Sequence, residues 1–321
     1  MDVSNLVWAV TIGAIAALIL VDLFTVSSKP HDVMFKEATL WSIFYIGIAI
    51  IFGMWVWSSY GSQFGTEYFA AYLVEKSLSV DNLFVFVIIL TQFAVPSIYH
   101  QRVLLIGVML ALVLRAIFIA VGAAALAAFS FTFVIFGAIL IWTGVGLFRH
   151  WDEDPDPSEN FIVKRVRKRM ATVDEYHGTK LFIRQNGKRF ATPMFLVMIS
   201  IGATDLLFAL DSIPAIFGLT KDPYIVFTAN AFALMGLRQL YFLIGGLMTK
   251  LIYLTKGLAI ILGFIGVKLI IEAIHGNDIH KILGVEIPEI STQFSLTVIV
   301  GTLVTTTIAS LIVSSKSKVA E

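Results

Sequence analysis

"TDLLFALDSIPAIFGL", residues 204–219, decides how this chain is read. Two aspartates, Asp205 and Asp211, stand in a run otherwise apolar enough to cross a bilayer. A carboxylate at that depth is expensive and persists where it has a function or a partner. The chain around this stretch is apolar as well. Its 321 residues are 58% hydrophobic and only 14% charged, with a mean hydropathy of +0.88. An ordinary soluble domain carries about 25% charged residues. The composition predicts an all-α, polytopic membrane protein embedded in a lipid bilayer.

Other classes fall away. A net charge of +1 gives nucleic acid nothing to bind, and no nucleic-acid partner is expected. There are no cysteines, which excludes disulfides, thiolate metal sites and thiol redox chemistry. The six histidines show no metal-ligand spacing, and no Ser-His-Asp cluster, phosphate-binding loop or dinucleotide fingerprint occurs. No enzyme activity and no permanently bound cofactor are expected. The opening stretch, "MDVSNLVWAVTIGAIAALILVDLF", lacks a basic n-region and a small-residue cleavage site, so it reads as a first span.

A spanning helix needs roughly 20 mostly apolar residues. That rule gives nine spans, at about 4–26, 38–59, 66–93, 102–128, 131–149, 192–218, 224–248, 254–275 and 293–314. Basic residues then sort by side. With the N-terminus outside, 17 fall inside, ten of them between Arg149 and Arg189, against only Lys221 and Lys281 outside. Nine spans with the N-terminus out and the C-terminus cytoplasmic preserve this asymmetry. The expected organisation is two spans in 1–60, a three-span unit in 61–149, a cytoplasmic loop in 150–191 and a second three-span unit in 192–276. Residues 277–321 supply an outer loop, the last span and a tail. In the long loop, Asn186-Gly187 between two short β-prone runs predicts a tight hairpin. The loop is a solvated linker or a docking segment for protein partners.

The charges left at membrane depth are not scattered. "EKSLSVDNLF" (75–84) and "DLLFALDSIP" (205–214) each place an acid, five residues, then an aspartate followed by a small polar residue. Glu75 matches Asp205, and Asp81 matches Asp211. The span after each pair carries one arginine, Arg115 or Arg238, and the third span of each set is glycine-rich. Spans 3–5 and 6–8 therefore read as two copies of one unit. Three is an odd number, so the second copy enters from the opposite side, an inverted repeat of the kind that builds many transporters.

Direction fixes depth: Glu75 and Asp211 are expected toward the outside, Asp81 and Asp205 toward the inside. Pro214 cannot donate to the carbonyl of Leu210. Freed carbonyls, the four acids, Asn82 and Ser212 would form an all-oxygen site suited to a hard divalent ion such as Mn²⁺, Mg²⁺ or Ca²⁺. The rival reading is purely structural, with the acids paired to Lys76, Arg115, Arg238 and Lys268. Asp22, Arg115, Arg238 and Lys268 are expected as supporting charges, and Lys76 is expected to face away from the site.

"EKSLSVDNLFVF", "TDLLFALDSIPAIFGLTKDPYIVFTANAFALMGLRQLYF" and "RQNGKRFATP" closely resemble the TerC family, including its bacterial Alx branch, over roughly residues 20–275. The resemblance implies a bacterial inner-membrane protein tied to tellurium resistance and, for Alx-like members, manganese export. It implies Glu75, Asp81, Asp205 and Asp211 as ion-handling acids, with Asn82 and Ser212 beside them. The expected function is export of a divalent cation, Mn²⁺ or a similar hard ion, driven by proton exchange or membrane potential. A membrane scaffold acting in stress response through the 150–191 loop is the alternative. The family label also covers proposals of redox modulation, for which a chain without cysteine has no thiol.

Topology is the first test. A reporter fused at 160–175 should read cytoplasmic, and one at 278–290 should read outside. The same side for both would overturn the nine-span arrangement.

Overall fold

The computed structural model describes residues 1–27, 34–129, 131–149, 172–173, 175–185, 188–244, 251, 253–275, 281–282, 285–286 and 290–317. Five helices come first: α1 (Asn5–Ser27), α2 (Phe35–Tyr60), α3 (Ser62–Gln92), α4 (Ser97–Ala128) and α5 (Thr132–Arg149). A hairpin of β1 (Phe182–Gln185) and β2 (Lys188–Ala191) follows. Then come α6 (Pro193–Phe217), α7 (Pro223–Leu234), α8 (Leu237–Ile244) and α9 (Leu254–His275). A two-residue ladder of β3 (Lys281–Ile282) and β4 (Val285–Glu286) leads to α10 (Thr292–Ser317). Eight of these segments are long and apolar enough to cross a membrane, with α7 and α8 counted as one.

The ninth span, α3, is not among those eight, because it carries Glu67, Glu75, Lys76 and Asp81. It sits at the centre instead. Two buried clusters flank it: Leu83, Phe86 and Ile89 pack with Val197, Ile201 and Ile213 of α6 and Ile225 of α7. Ala70, Val74 and Leu78 pack with Leu258, Leu262 and Ile265 of α9. The lipid-facing cover is visible in the exposed apolar residues of α1, α2 and α10, such as Leu6, Ile51 and Val304. A helix too polar for lipid is thus sheltered by helices that are not.

The ends pair as alternating spans require. The Thr220 hydroxyl, after α6, reaches Glu67 near the start of α3 at 2.5 Å, and Lys221 pairs with Glu272 at the end of α9 at 2.6 Å. On the opposite face, Tyr176 donates to the Phe93 carbonyl at the end of α3 at 2.6 Å. The β1–β2 register, with Gln185 opposite Lys188, gives the two-residue connection that Asn186-Gly187 predicts. Residues 150–171 of the long loop, and Asn186-Gly187 themselves, lie outside the described residues.

One element departs from expectation. The span expected at 224–248 is broken: Met235 is extended at φ −61°, ψ 131°, and Gly236 takes φ +82°. A positive φ suits glycine and strains other residues, so the α-helical ladder stops at Leu234 and restarts at Leu237. Glycine is common in spanning helices, which is why the pattern alone read as continuous.

Glycine has a second use where α5 crosses α9. A Cβ added at Gly137 would lie 2.7 Å from the Gly266 carbonyl oxygen, and one at Gly266 would lie 2.8 Å from that of Gly137. The two backbones touch, as small residues permit in membranes. Gly137→Ala should therefore cost about 1–3 kcal/mol through overpacking. Gly263→Ala on the same helix α9 meets nothing within 4 Å and should be nearly neutral. Thermal unfolding of the two variants in detergent compares them directly.

Candidate functional site

Small residues also set the distance between α4 and α6. A Cβ at Gly107 would lie 2.9 Å from Ile201, and one at Gly202 would lie 2.7 Å from Leu110. That approach brings Arg115 of α4 into reach of Asp205 of α6. The guanidinium, fully buried, donates from Nη2 to Asp205 Oδ1 at 3.1 Å and from Nε to Oδ2 at 3.4 Å. Its third nitrogen, Nη1, donates to Glu75 Oε1 of α3. Ser79, one turn further along α3, donates to the same Glu75 oxygen at 3.1 Å. Only a planar, forked cation can serve two carboxylates from two helices in this way.

Glu75 and Asp205 are the matching acids of the two sequence motifs, and they meet at one guanidinium. Chain direction puts them toward opposite faces and antiparallel packing brings acids of the two halves to similar levels; here both reach the same guanidinium. Two carboxylates meet one buried guanidinium, and Lys76, next to Glu75 in the chain, brings a second cation close by. Glu75 Oε2 is buried and has no hydrogen-bond partner among the described residues. The same holds for Asn82 Nδ2, Ser200 Oγ and Ser212 Oγ, which lie five to seven residues from the triad acids along α3 and α6. Buried polar groups left in this condition mark a place that accommodates water or an ion.

The second acid of each motif lies elsewhere. Six residues along a helix turn by about 120° and rise about 9 Å, so Asp211 cannot share the face of Asp205. Asp205 is buried, whereas Asp211 is half-buried beside the exposed Leu207 and Leu210. No hydrogen bond to another side chain and no ion pair holds the Asp211 carboxylate among the described residues. The backbone of Asp81 belongs to α3, but its side chain lies outside the described residues. Among the described residues no three His, Asp or Glu side chains gather as a resident metal centre would require.

The remaining charges have partners that spacing did not reveal. Arg238, expected beside the motif acids by analogy with Arg115, instead binds Asp22 of α1, Nη2 to Oδ1 at 2.7 Å. Lys76, expected to face out of the site, reaches a backbone carbonyl of another helix. Its Nζ donates to the Ala233 carbonyl at 3.0 Å, where the end of α7 leaves carbonyls without a helical donor and a cation is favoured. Lys268 is 7% exposed and lines a vestibule of about 750 Å³ with Glu67, Thr220 and Glu272. Glu67 is a residue that sequence reading passed over. It sits in the polar start of α3, "SQFGTE", where an acid reads as a loop-proximal charge, yet it is 6% exposed and bonded to Thr220 and Gln63.

The chain matches the "Integral membrane protein TerC family" over residues 60–318. An uncharacterised membrane protein of Mycobacterium tuberculosis is 48% identical to it over 317 residues, which is 97% of this chain and 80% of that protein. One from Myxococcus xanthus is 40% identical over 307 residues, covering 96% and 92%. A Photorhabdus laumondii protein named for a proposed role as membrane-bound redox modulator, Alx, is 35% identical over 290 residues, covering 88% and 91%. No solved structure matches.

The triad makes a stability prediction. Arg115→Gln strands two buried carboxylates and should cost about 3–5 kcal/mol, seen as a large loss of folded protein in detergent. Arg115→Lys should rescue only part of it, since a compact ammonium lacks the planar two-nitrogen grip on Asp205 that leaves a third nitrogen for Glu75. Neutralising the whole set, with Glu75→Gln, Arg115→Met and Asp205→Asn together, should recover most of that loss.

Proposed function

We propose that this chain, which belongs to the integral membrane protein TerC family, carries a hard divalent cation, Mn²⁺ or one of like chemistry, out across a bacterial inner membrane. The observation that carries this reading is the meeting of Glu75 and Asp205, from two like motifs, at one shared guanidinium inside the membrane. A structural bridge alone needs one acid for one base. Here two acids meet one base, Glu75 Oε2 is without a hydrogen-bond partner among the described residues, and so are amide and hydroxyl groups further along the same two helices. All are oxygen or nitrogen groups, and the oxygens are the donors that hard divalent ions prefer. No sulfur other than methionine is present in the chain.

Arg115 gives this arrangement a way to release its cargo. The guanidinium holds the acids when no ion is present, so the empty state needs no bound metal to remain folded. An arriving divalent ion competes with Arg115 for the Glu75 and Asp205 oxygens. Asp211 and Asp81, placed about 9 Å along their helices from the triad, would serve as steps on either side of it. Proton exchange or the membrane potential would drive the cycle.

An inverted repeat of the two three-span units would suit this reading. Helix α3 packs on α7 as α6 packs on α4, and α3 with α6 and α5 with α9 pair across the two units. Alternating access in such proteins turns one unit against the other around a central site.

Purified protein in liposomes, with an internal Mn²⁺-sensitive dye, tests the proposal. Asp211→Asn is the cleanest variant, because it leaves the Arg115 triad intact. It should fold normally and lower Mn²⁺ flux at least tenfold, and Asp81→Asn should do the same. Unchanged flux in the folded Asp81→Asn, Asp211→Asn double variant would show that these acids carry no ion.

A further inference from the structure

A second polar cluster lies where α7 gives way to α8. Across this junction the Met235 amide still donates back to the Ala231 carbonyl at 3.0 Å, and the Leu240 amide donates to the Gly236 carbonyl at 3.0 Å. Between them the ladder is interrupted at a glycine with φ +82°. Helix α8 is eight residues long and hangs from that glycine. Its first turn carries Arg238, paired with Asp22 of α1, and Gln239, whose Nε2 donates to the same Asp22 oxygen at 3.4 Å.

Both side chains also border a cavity of about 20 Å³, closed by Tyr45 of α2 and Val108 of α4. Arg238 and Gln239 are 7% and 3% exposed. Each leaves one atom, Nη1 and Oε1, with no hydrogen-bond partner among the described residues. A space of this size holds about one water, and its lining residues carry one unpartnered donor and one unpartnered acceptor. The vestibule beside Glu67, at about 750 Å³, is far larger and opens on the other face. The space on one face is a wide vestibule, while that on the other is a polar void behind an ion pair.

We infer that the α7–α8 junction is the gate on the face opposite the vestibule, latched by Asp22 and Arg238. Helix α8 swings at Gly236, and Asp22 becomes the first carboxylate met by an entering cation once Arg238 has left it. The latch opens by exchange of one cation for another: the guanidinium gives up the Asp22 oxygens as the incoming ion takes them. Lys76, bonded to the Ala233 carbonyl, holds the end of α7 in place while α8 moves. The purpose of this gate rests on the transport reading, but its geometry does not.

The absence of native cysteine makes the gate measurable. Val108→Cys, in liposomes with both faces addressable, should react slowly with a membrane-impermeant thiol reagent. Adding Asp22→Asn or Arg238→Gln should speed the reaction at least tenfold, from the hairpin face only. The exchanged pair, Asp22→Arg with Arg238→Asp, should slow it again. Unchanged rates in both single variants, or acceleration from the vestibule face, would overturn the gate.

Hydrogen exchange on the otherwise unaltered chain gives a second measurement that needs no latch variant. The amides of Leu237–Gln239 should exchange at least tenfold faster than those in the middle of α7, and equal protection would overturn the hinge. Absent Mn²⁺ flux with this labelling pattern intact would sink the transport reading while leaving the gate standing.

Discussion

Two carboxylates share one guanidinium at the centre of this bundle, and most of the architecture follows from the need to keep that arrangement out of lipid. A charge at bilayer depth is tolerated only when paired and enclosed. The helix that carries Glu75 must therefore be surrounded, and α3 is: apolar clusters lie on both of its sides, with α1, α2 and α10 presenting their leucines and isoleucines outward. The glycines of α4 and α6 serve the same end by letting the two backbones come close enough for Arg115 to reach Asp205. Burial of an ion pair is weak support for stability in itself. Here it acts as a constraint on arrangement, since displacing any one of three helices leaves a charge without its partner.

Much of this was legible in the residues. The spans could be found because hydropathy and length are local properties. The motif acids stood out because carboxylates are rare in such runs. What sequence could not give was pairing across the chain. Asp22 and Arg238 are 216 positions apart, and no spacing rule joins them. Arg238 read as the twin of Arg115 and serves a different acid. Lys76, adjacent to Glu75, read as facing out of the site, and it binds the end of α7, whose existence as an end depends on a break that "ALMGLRQ" only hints at. Glu67 was hidden by its polar neighbours, although an acid one helical turn inside a span was a signal in principle.

The two arginines turn out to share one logic despite unlike surroundings. Each is a cation fixed to the chain and set against carboxylates that a metal could also bind. On the transport reading proposed above, positive charge would be present in the pathway whether or not cargo is there. A protein built this way would not need a bound ion to stay folded, because its own side chains stand in for one.

The contact of Gly137 with Gly266 has a mechanical consequence. Side chains can change rotamer and slide past each other, but a carbonyl pressed against a neighbouring backbone has nowhere to go. Helices α5 and α9 are thereby fastened into a stiff spar along one flank of the bundle. Motion of the remaining helices must turn about that spar rather than pass through it. A single methyl group inserted there would shift the fulcrum of the machine without touching any of its charges.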